Sequence, residues 1–268
     1  MTRSSSQPDT NSPGRHRKKP TASAYRQPLY YEIAFSFFDV PKQVRLFETF
    51  VRLHGRREVR TILDIACGPS LQLREFVRRG YACIGLDLNR EMLDYVKSKD
   101  ARIETVRGNF VRFALPAKVD LAFILMGSLM VSSNEALLSH LDSLAGAMRR
   151  GGLYIIENAH LNWAAFGTEE VERWTTSRDG IEVRATYDTE PAAPLEQLYR
   201  EWLLLEVDDH GRIAAYRDER LVKAIFPQEF KSLVSLHGKF EFVGFFERSS
   251  TRRLKEARND NLVVLRRK

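Results

Sequence analysis

"TILDIACGPSLQLREF", from Thr61 to Phe76, is the stretch on which the reading of the whole chain turns. It opens as a short apolar run, breaks at Asp64, passes through Ala66, Cys67, Gly68, Pro69 and Ser70, and resumes as an apolar-periodic run. That order reads as a strand, a tight turn and the opening of a helix. In an open parallel sheet, ligands bind at the carboxyl ends of the strands, and such a turn aims the first helical amides at them. Small residues at 66, 68 and 70 let the backbone come close to a ligand. A dinucleotide turn would read G-x-G-x-x-G, so that a pyrophosphate can rest on the helix N-terminus. Only Gly68 is present here, and an acid at 64 repels a pyrophosphate. The turn suits a nucleotide-like ligand that carries positive charge instead.

Outward from this stretch, strands alternate with helices. "ACIGLDL" reads as a second strand and "REMLDYVKSK" as a second helix. "RIETVRGNF" reads as a third strand with its exit turn, and "VDLAFILM" as a fourth. "NEALLSHLDSLAGAMRRGG" reads as a long helix stopped by glycine, and "LYIIENA" as a fifth strand. Such alternation predicts an α/β fold, a doubly wound and mostly parallel sheet built from right-handed crossovers. Upstream, Val44, Phe47, Phe50 and Val51 share one helical face, with Gly55 as C-cap.

Past His160 the pattern changes. "GIEVRATYDTE", "EQLYREWLLLEVDD" and "GRIAAYRDERLVKAI" read as three antiparallel strands inserted over residues 178–225, with "DDHG" as a turn. "FPQEFKSLVSLHG" opens a helix at Pro227, and "FEFVGFFE" and "NLVVLRRK" read as two closing strands. The expected division is a tail at 1–26 and one domain at 27–268. That domain divides into an N-terminal segment at 27–58, a ligand-binding core at 60–160, the insertion, and a last helix with strands at 226–268.

Composition narrows the function. The chain has 268 residues, 43% of them hydrophobic, and two cysteines, Cys67 and Cys83. Two cysteines make neither a disulfide framework nor a metal quartet, and point to a reducing, cytoplasmic setting. No apolar run is long enough to span a membrane, and the N-terminus lacks the apolar region of a secretory signal. The net charge is +7. Six cations, Arg3, Arg15, Arg17, Lys18, Lys19 and Arg26, lie within residues 1–28 against the single acid Asp9, so five of the seven net charges belong there. The basicity is a property of the tail, read either as solvated disorder or as an arm for RNA or a protein partner.

The ordered set resembles the Rossmann-like (class I) S-adenosylmethionine-dependent methyltransferases. "LDIACGPS" is similar to their first motif, an acid followed by alternate glycines, with Ala66 and Ser70 replacing two of the three. "IGLDLNREMLDYV" is similar to their second motif, with Asp87 at the end of the second strand, where a carboxylate accepts the ribose hydroxyls. "VRGNF" stands where the family usually has Gly-Asp beside adenine, here Asn109. The resemblance covers roughly residues 60–160 and implies a seven-stranded sheet closed by an antiparallel C-terminal strand pair. It implies S-adenosyl-L-methionine as cofactor, held by Asp64, Ala66, Cys67, Gly68, Asp87, Leu88, Met92, Asn109, Phe110, Met126 and Tyr30. More modest roles stay open: Asp64 or Asp87 as a helix cap, Cys67 as a small packing residue, and Met92 and Met126 as core.

The antiparallel insertion resembles the lid of small-molecule N-methyltransferases, which implies transfer to an amine or hydroxyl of a small molecule. His160, just past the fifth strand, is the best-placed general base, and Tyr31 is the next candidate. Tyr30 and Tyr31 either fold over the cofactor or anchor the first helix. Ser128, Asn162 and Trp163 are expected at the acceptor, as are Glu157 and Asn158 from the end of the fifth strand. "LMGSL" lacks the motif of enzymes that methylate amino groups of bases. The chain also lacks a Pro-Cys nucleophile and any metal-ligand cluster. Two further readings stand beside this one: an RNA or protein methyltransferase recruited by the basic tail, and a non-catalytic module that binds S-adenosylmethionine. A homodimer through the insertion is also expected to be open to the chain, and a membrane is not expected as partner.

Overall fold

The computed structural model describes residues 22–159, 170–256, 258 and 260–268. The tail expected at 1–26 falls outside them as far as residue 21. Strands β1 (Thr61–Ile65), β2 (Ala82–Asp87), β3 (Glu104–Arg107), β4 (Val119–Ile124) and β5 (Met148–Glu157) pair in parallel. After a separate four-stranded insertion, the sheet is completed by β10 (Phe240–Glu247) and β11 (Asn261–Arg267). β11 runs antiparallel to β5, and β10 antiparallel to β11. The order is β10-β11-β5-β4-β1-β2-β3, seven strands with the antiparallel pair at one edge. The chain runs from β1 outward to β3 and returns to β4 on β1's other side. The switch point, and the crevice it creates, therefore lies at the carboxyl ends of β1 and β4.

Helices cover both faces. α2 (Val40–His54), α3 (Leu71–Arg78) and α4 (Arg90–Lys99) lie on one side, and α5 (Asn134–Ala147) and α6 (Pro227–His237) on the other. α2 opens at Asp39, whose carboxylate accepts the Lys42 N–H at 3.0 Å. It buries Val44, Phe47 and Phe50 against the sheet, the apolar stripe read from the sequence. Fully burying one such phenylalanine contributes about 1.5–3 kcal/mol.

α5 is shorter than its sequence predicts. It ends at Ala147, and Met148–Gly152 join β5. Met148 already pairs with Val119 of β4, and at Gly152 a Cβ would stand 2.3 Å from the Asp120 carbonyl, so the close approach of the two strands there admits only glycine.

The insertion has four strands, one more than expected: β6 (Glu170–Arg178), β7 (Ile181–Ala193), β8 (Leu198–Asp209) and β9 (Arg212–Lys223), in that order. β6 joins β7 through Asp179-Gly180, both at positive φ (51° and 79°). Asp-Gly is a strong two-residue hairpin signal because both positions take left-handed φ, and it was legible in the sequence. The β8–β9 turn uses His210 and Gly211 in the same way (φ 51° and 87°).

Residues 22–38, with α1 (Pro28–Ala34), form a strap against this second sheet. Ala24, Ile33 and Ala34 bury against Val183, Ala185, Leu203 and Leu205. The Trp174 indole N–H donates to the Ala34 carbonyl at 2.7 Å, and the Arg217 N–H to the Ala22 carbonyl at 3.0 Å. No helix among the described residues is long and apolar enough to cross a membrane.

Candidate functional site

A cleft of about 470 Å³ opens over the carboxyl ends of β1, β2 and β4, within the size range of small-molecule sites. Its floor is the turn after β1. There the backbone takes left-handed φ at alternate residues: 53° at Ala66, 51° at Gly68 and 39° at Ser70. Left-handed φ favours glycine and costs other residues about 1 kcal/mol or more. This turn therefore asks for glycine at the three positions where the sequence has Ala, Gly and Ser. Ser70 gains something in return. Its hydroxyl donates to Asp64 Oδ2 at 2.6 Å, and its oxygen accepts the Leu73 N–H at 3.4 Å, capping α3. The cap is thus Ser70, and Asp64 is left to face the cleft.

The two carboxylates of the cleft are held by backbone. Asp87, the last residue of β2, accepts the Gly68 N–H at 2.9 Å on Oδ2 and the Asn89 N–H at 2.8 Å on Oδ1. Each oxygen keeps a lone pair for a ligand hydroxyl. Burial pushes the Asp87 carboxyl above its ordinary range, partly offset by these hydrogen bonds. Asp64 is pushed well above it, first by burial and further by Asp87, against the hydrogen bond from Ser70. Two acids short of solvation and close together favour a cation between the walls. Burial and both carboxylates raise the Cys67 thiol well above its usual value, so Cys67 packs rather than attacks.

The roof comes from the strap and the insertion. Tyr31 lies over Gly68, where a Cβ would stand 3.9 Å from its Cε1. Burial also drives the Tyr31 hydroxyl well above its ordinary value, so it keeps its proton and can act in hydrogen bonds only. Tyr25 carries the Arg220 guanidinium over its ring at 4.4 Å. The Asp218 carboxylate accepts the Ser23 hydroxyl and the Tyr25 N–H, each at 2.9 Å. Glu32, 4% exposed, is ion-paired to Arg74 of α3 and, at 2.7 Å, to Arg178 of β6.

Of the residues expected to act here, Asp64, Ala66, Cys67, Gly68, Asp87, Leu88, Met92, Asn109, Phe110, Met126, Ser128 and Tyr31 line the cleft. Tyr30 does not. Neighbours on a helix point about 100° apart, and with Tyr31 facing the cleft Tyr30 faces the insertion. There it stacks on Tyr216 at 5.7 Å and donates to Asp209 at 2.8 Å. Glu157 is also away from the cleft. It is fully buried and ion-paired to Arg248, and it accepts the Met126 N–H at 3.1 Å. It thereby holds Met126 at φ 54°. Asn158 likewise lies off the cleft, its N–H donating to the Asn261 carbonyl at 3.0 Å. His160, Asn162 and Trp163 lie outside the described residues.

Sequence reading missed Tyr25, Glu32, Asp218 and Arg220. A signal existed for the last two: Tyr216, Asp218, Arg220 and Val222 fall at the period of two that puts them on one face of β9. Which face met the strap was not written there.

Residues 62–152 match the family described as "Methyltransferase domain". No curated protein matches the chain. Among solved structures, DesVI of Streptomyces venezuelae superposes with a TM-score of 0.74 at 19% identity, over 91% of this chain and 98% of that one. The sugar N-methyltransferase KedS8 of Streptoalloteichus sp. does so at 0.71 and 15%, over 98% and 100%. CalS10, an amino pentose methyltransferase of Micromonospora echinaspora solved with S-adenosylmethionine bound, does so at 0.68 and 16%, over 94% and 100%. At these identities the likeness is one of fold.

Proposed function

With a methyltransferase domain at residues 62–152 and the fold of the class I, S-adenosylmethionine-dependent methyltransferases, we propose that the chain moves a methyl group from S-adenosylmethionine to an amine or hydroxyl of a small molecule. An amino sugar is the acceptor class we favour, in line with the activities named for KedS8 and CalS10. The observation that carries this reading is the covered cleft. Two buried carboxylates line its core side, and aromatic rings with Asp218 and Arg220 line its roof.

The cofactor fits the residues present. Its ribose hydroxyls suit the remaining lone pairs of Asp87, and its positive charge suits Asp64. The close approach suits a turn of small residues. When bound, it supplies an electrophilic methyl and leaves as a neutral thioether. The protein's share is alignment and exclusion of water. Met126 and Ser128, beyond β4, would meet the methionine end and the acceptor. Tyr31 would hold the acceptor by a hydrogen bond, since its hydroxyl stays protonated. Proton removal falls to His160 in this proposal, with Asn162 and Trp163 beside the acceptor.

A strap and a sheet over the cleft favour a small acceptor over a nucleic-acid strand or a protein. Calorimetry should give micromolar affinity for S-adenosylmethionine, weakened about tenfold by Asp87→Ala. The purified enzyme should add one methyl to a member of a panel of amino sugars, read by mass. An absence of cofactor binding would sink the proposal. Turnover that requires the basic tail and an RNA or protein acceptor would redirect it.

A further inference from the structure

The segment after β3, residues 108–113, makes one wall of the cleft through Gly108, Asn109 and Phe110. Its front is held by the Gly108 N–H, which donates to the Asp87 carbonyl at 2.9 Å, and by an internal turn in which the Arg112 N–H donates to the Asn109 carbonyl at 3.0 Å and the Val111 N–H to Asn109 Oδ1 at 2.9 Å. Its back is tied to α5 by three polar side chains. The Ser139 hydroxyl donates to the Val111 carbonyl at 3.1 Å, and the Ser143 hydroxyl accepts the Phe113 N–H at 3.2 Å. Between them, His140 Nδ1 stands 2.8 Å from the Phe110 carbonyl. His140 is fully buried, and its Nε2 lies 2.8 Å from the Tyr154 hydroxyl of β5.

The partners dictate the tautomer. A carbonyl only accepts, so Nδ1 carries the proton. Burial lowers the imidazole to about 4, so near neutral pH the ring is uncharged and Nε2 accepts from Tyr154. A chain of donation runs from the Tyr154 hydroxyl through His140 to the Phe110 main chain, with both ring nitrogens used. The ring also stands edge-on to Phe110 at 5.9 Å and tilted against Phe113 at 6.3 Å. An apolar side chain would fill this space without the cost of burying an imidazole. What the histidine adds is a rigid hold on a cleft-lining backbone.

We propose that His140 is a positioning residue: it fixes the Phe110 main chain, and with it the Asn109–Phe110 wall, in the arrangement that receives the cofactor before the cofactor arrives. The inference rests on the cleft being the S-adenosylmethionine site. Such pre-positioning strengthens binding by removing an ordering cost.

Two substitutions separate this role from packing. His140→Asn keeps an amide nitrogen one bond from Cγ, where Nδ1 sits. His140→Gln moves it one bond further, toward the place of Nε2, and abandons Phe110. Calorimetry with S-adenosylhomocysteine should show H140Q weakened about tenfold and H140N within about threefold. The loss in turnover should fall on the cofactor KM more than on kcat. Equal weakening of both variants, or wild-type affinity in folded H140Q, overturns the inference. Amide exchange on the ligand-free wild type adds a test that needs no variant. The Val111 and Phe113 amides, which donate to Asn109 Oδ1 and to Ser143, report whether the segment is ordered. They should already be protected, and free exchange until ligand is added also overturns the inference. A wild type that binds no S-adenosylhomocysteine refutes the cofactor reading, and the exchange result then reports on the loop alone.

Discussion

The Ser70 hydroxyl donates to Asp64 Oδ2 at 2.6 Å, with both residues buried, one at each end of the turn that floors the cleft. The same oxygen caps α3 through Leu73. Ser70→Ala removes both bonds and leaves the left-handed φ in place. We expect a loss of about 1–3 kcal/mol in denaturant unfolding. A loss below the error of the measurement would show that the hydroxyl is not what makes a non-glycine residue tolerable at this position.

Ala66 sits at φ 53° with no such compensation. Glycine is relaxed there, at the expense of more freedom in the unfolded chain. Ala66→Gly should stabilise the protein by about 0.5–1 kcal/mol. Thermal and chemical unfolding of the pair measure it, and a destabilised A66G would mean that the methyl group's packing outweighs the strain.

Asp64 predicts a pH effect of definite sign. Its carboxyl is raised in the fold, so the folded chain keeps a proton that the unfolded chain releases near pH 4. The stability associated with this group is complete below about pH 4 and is lost as pH rises through the folded value. Asp64→Asn should therefore flatten the decline in stability on the alkaline side. A cation in the cleft reverses the preference and expels the proton. Calorimetry in buffers of different ionisation heats should show more proton release with S-adenosylmethionine than with the neutral thioether product. Equal release for both ligands would place the sulfonium away from Asp64.

Glu32 ties three parts of the molecule together: the strap that carries it, α3 through Arg74, and the insertion through Arg178. The arginines are 25% and 35% exposed, so solvent weakens each pair. Glu32→Gln should cost about 1–3 kcal/mol. It should also loosen the strap, with faster proteolysis near residues 22–38 and faster cofactor dissociation. Unchanged proteolysis would mean that Ala24, Ile33 and Ala34 hold the strap by apolar packing alone.

Much of this molecule was legible as periodicity. The strand–turn–helix at Thr61–Phe76, the stripe on α2 and the helix opening at Pro227 are local patterns, and local patterns survive in one dimension. Asp64, Gly68 and Asp87 were legible for the same reason, since each stands at or just beyond the carboxyl end of a strand whose exit is written beside it. Tyr30 and Tyr31 show the limit. Both are aromatic neighbours on α1, and helix geometry requires that they part, but not which of them meets the cleft.

The sequence alone determined the parallel core, the acid before the turn and the acid ending β2, because hydrophobic period and turn chemistry act between near neighbours. Tertiary structure decided that the strap lays its apolar face on the insertion while Glu32 and Tyr31 reach the core. It also decided that β9 sends Asp218 and Arg220 into the cleft, and that His140 of α5 holds the Phe110 main chain. Those outcomes depend on pairings between residues 30 to about 195 positions apart, and they are chosen by which buried polar groups find partners once the layers close.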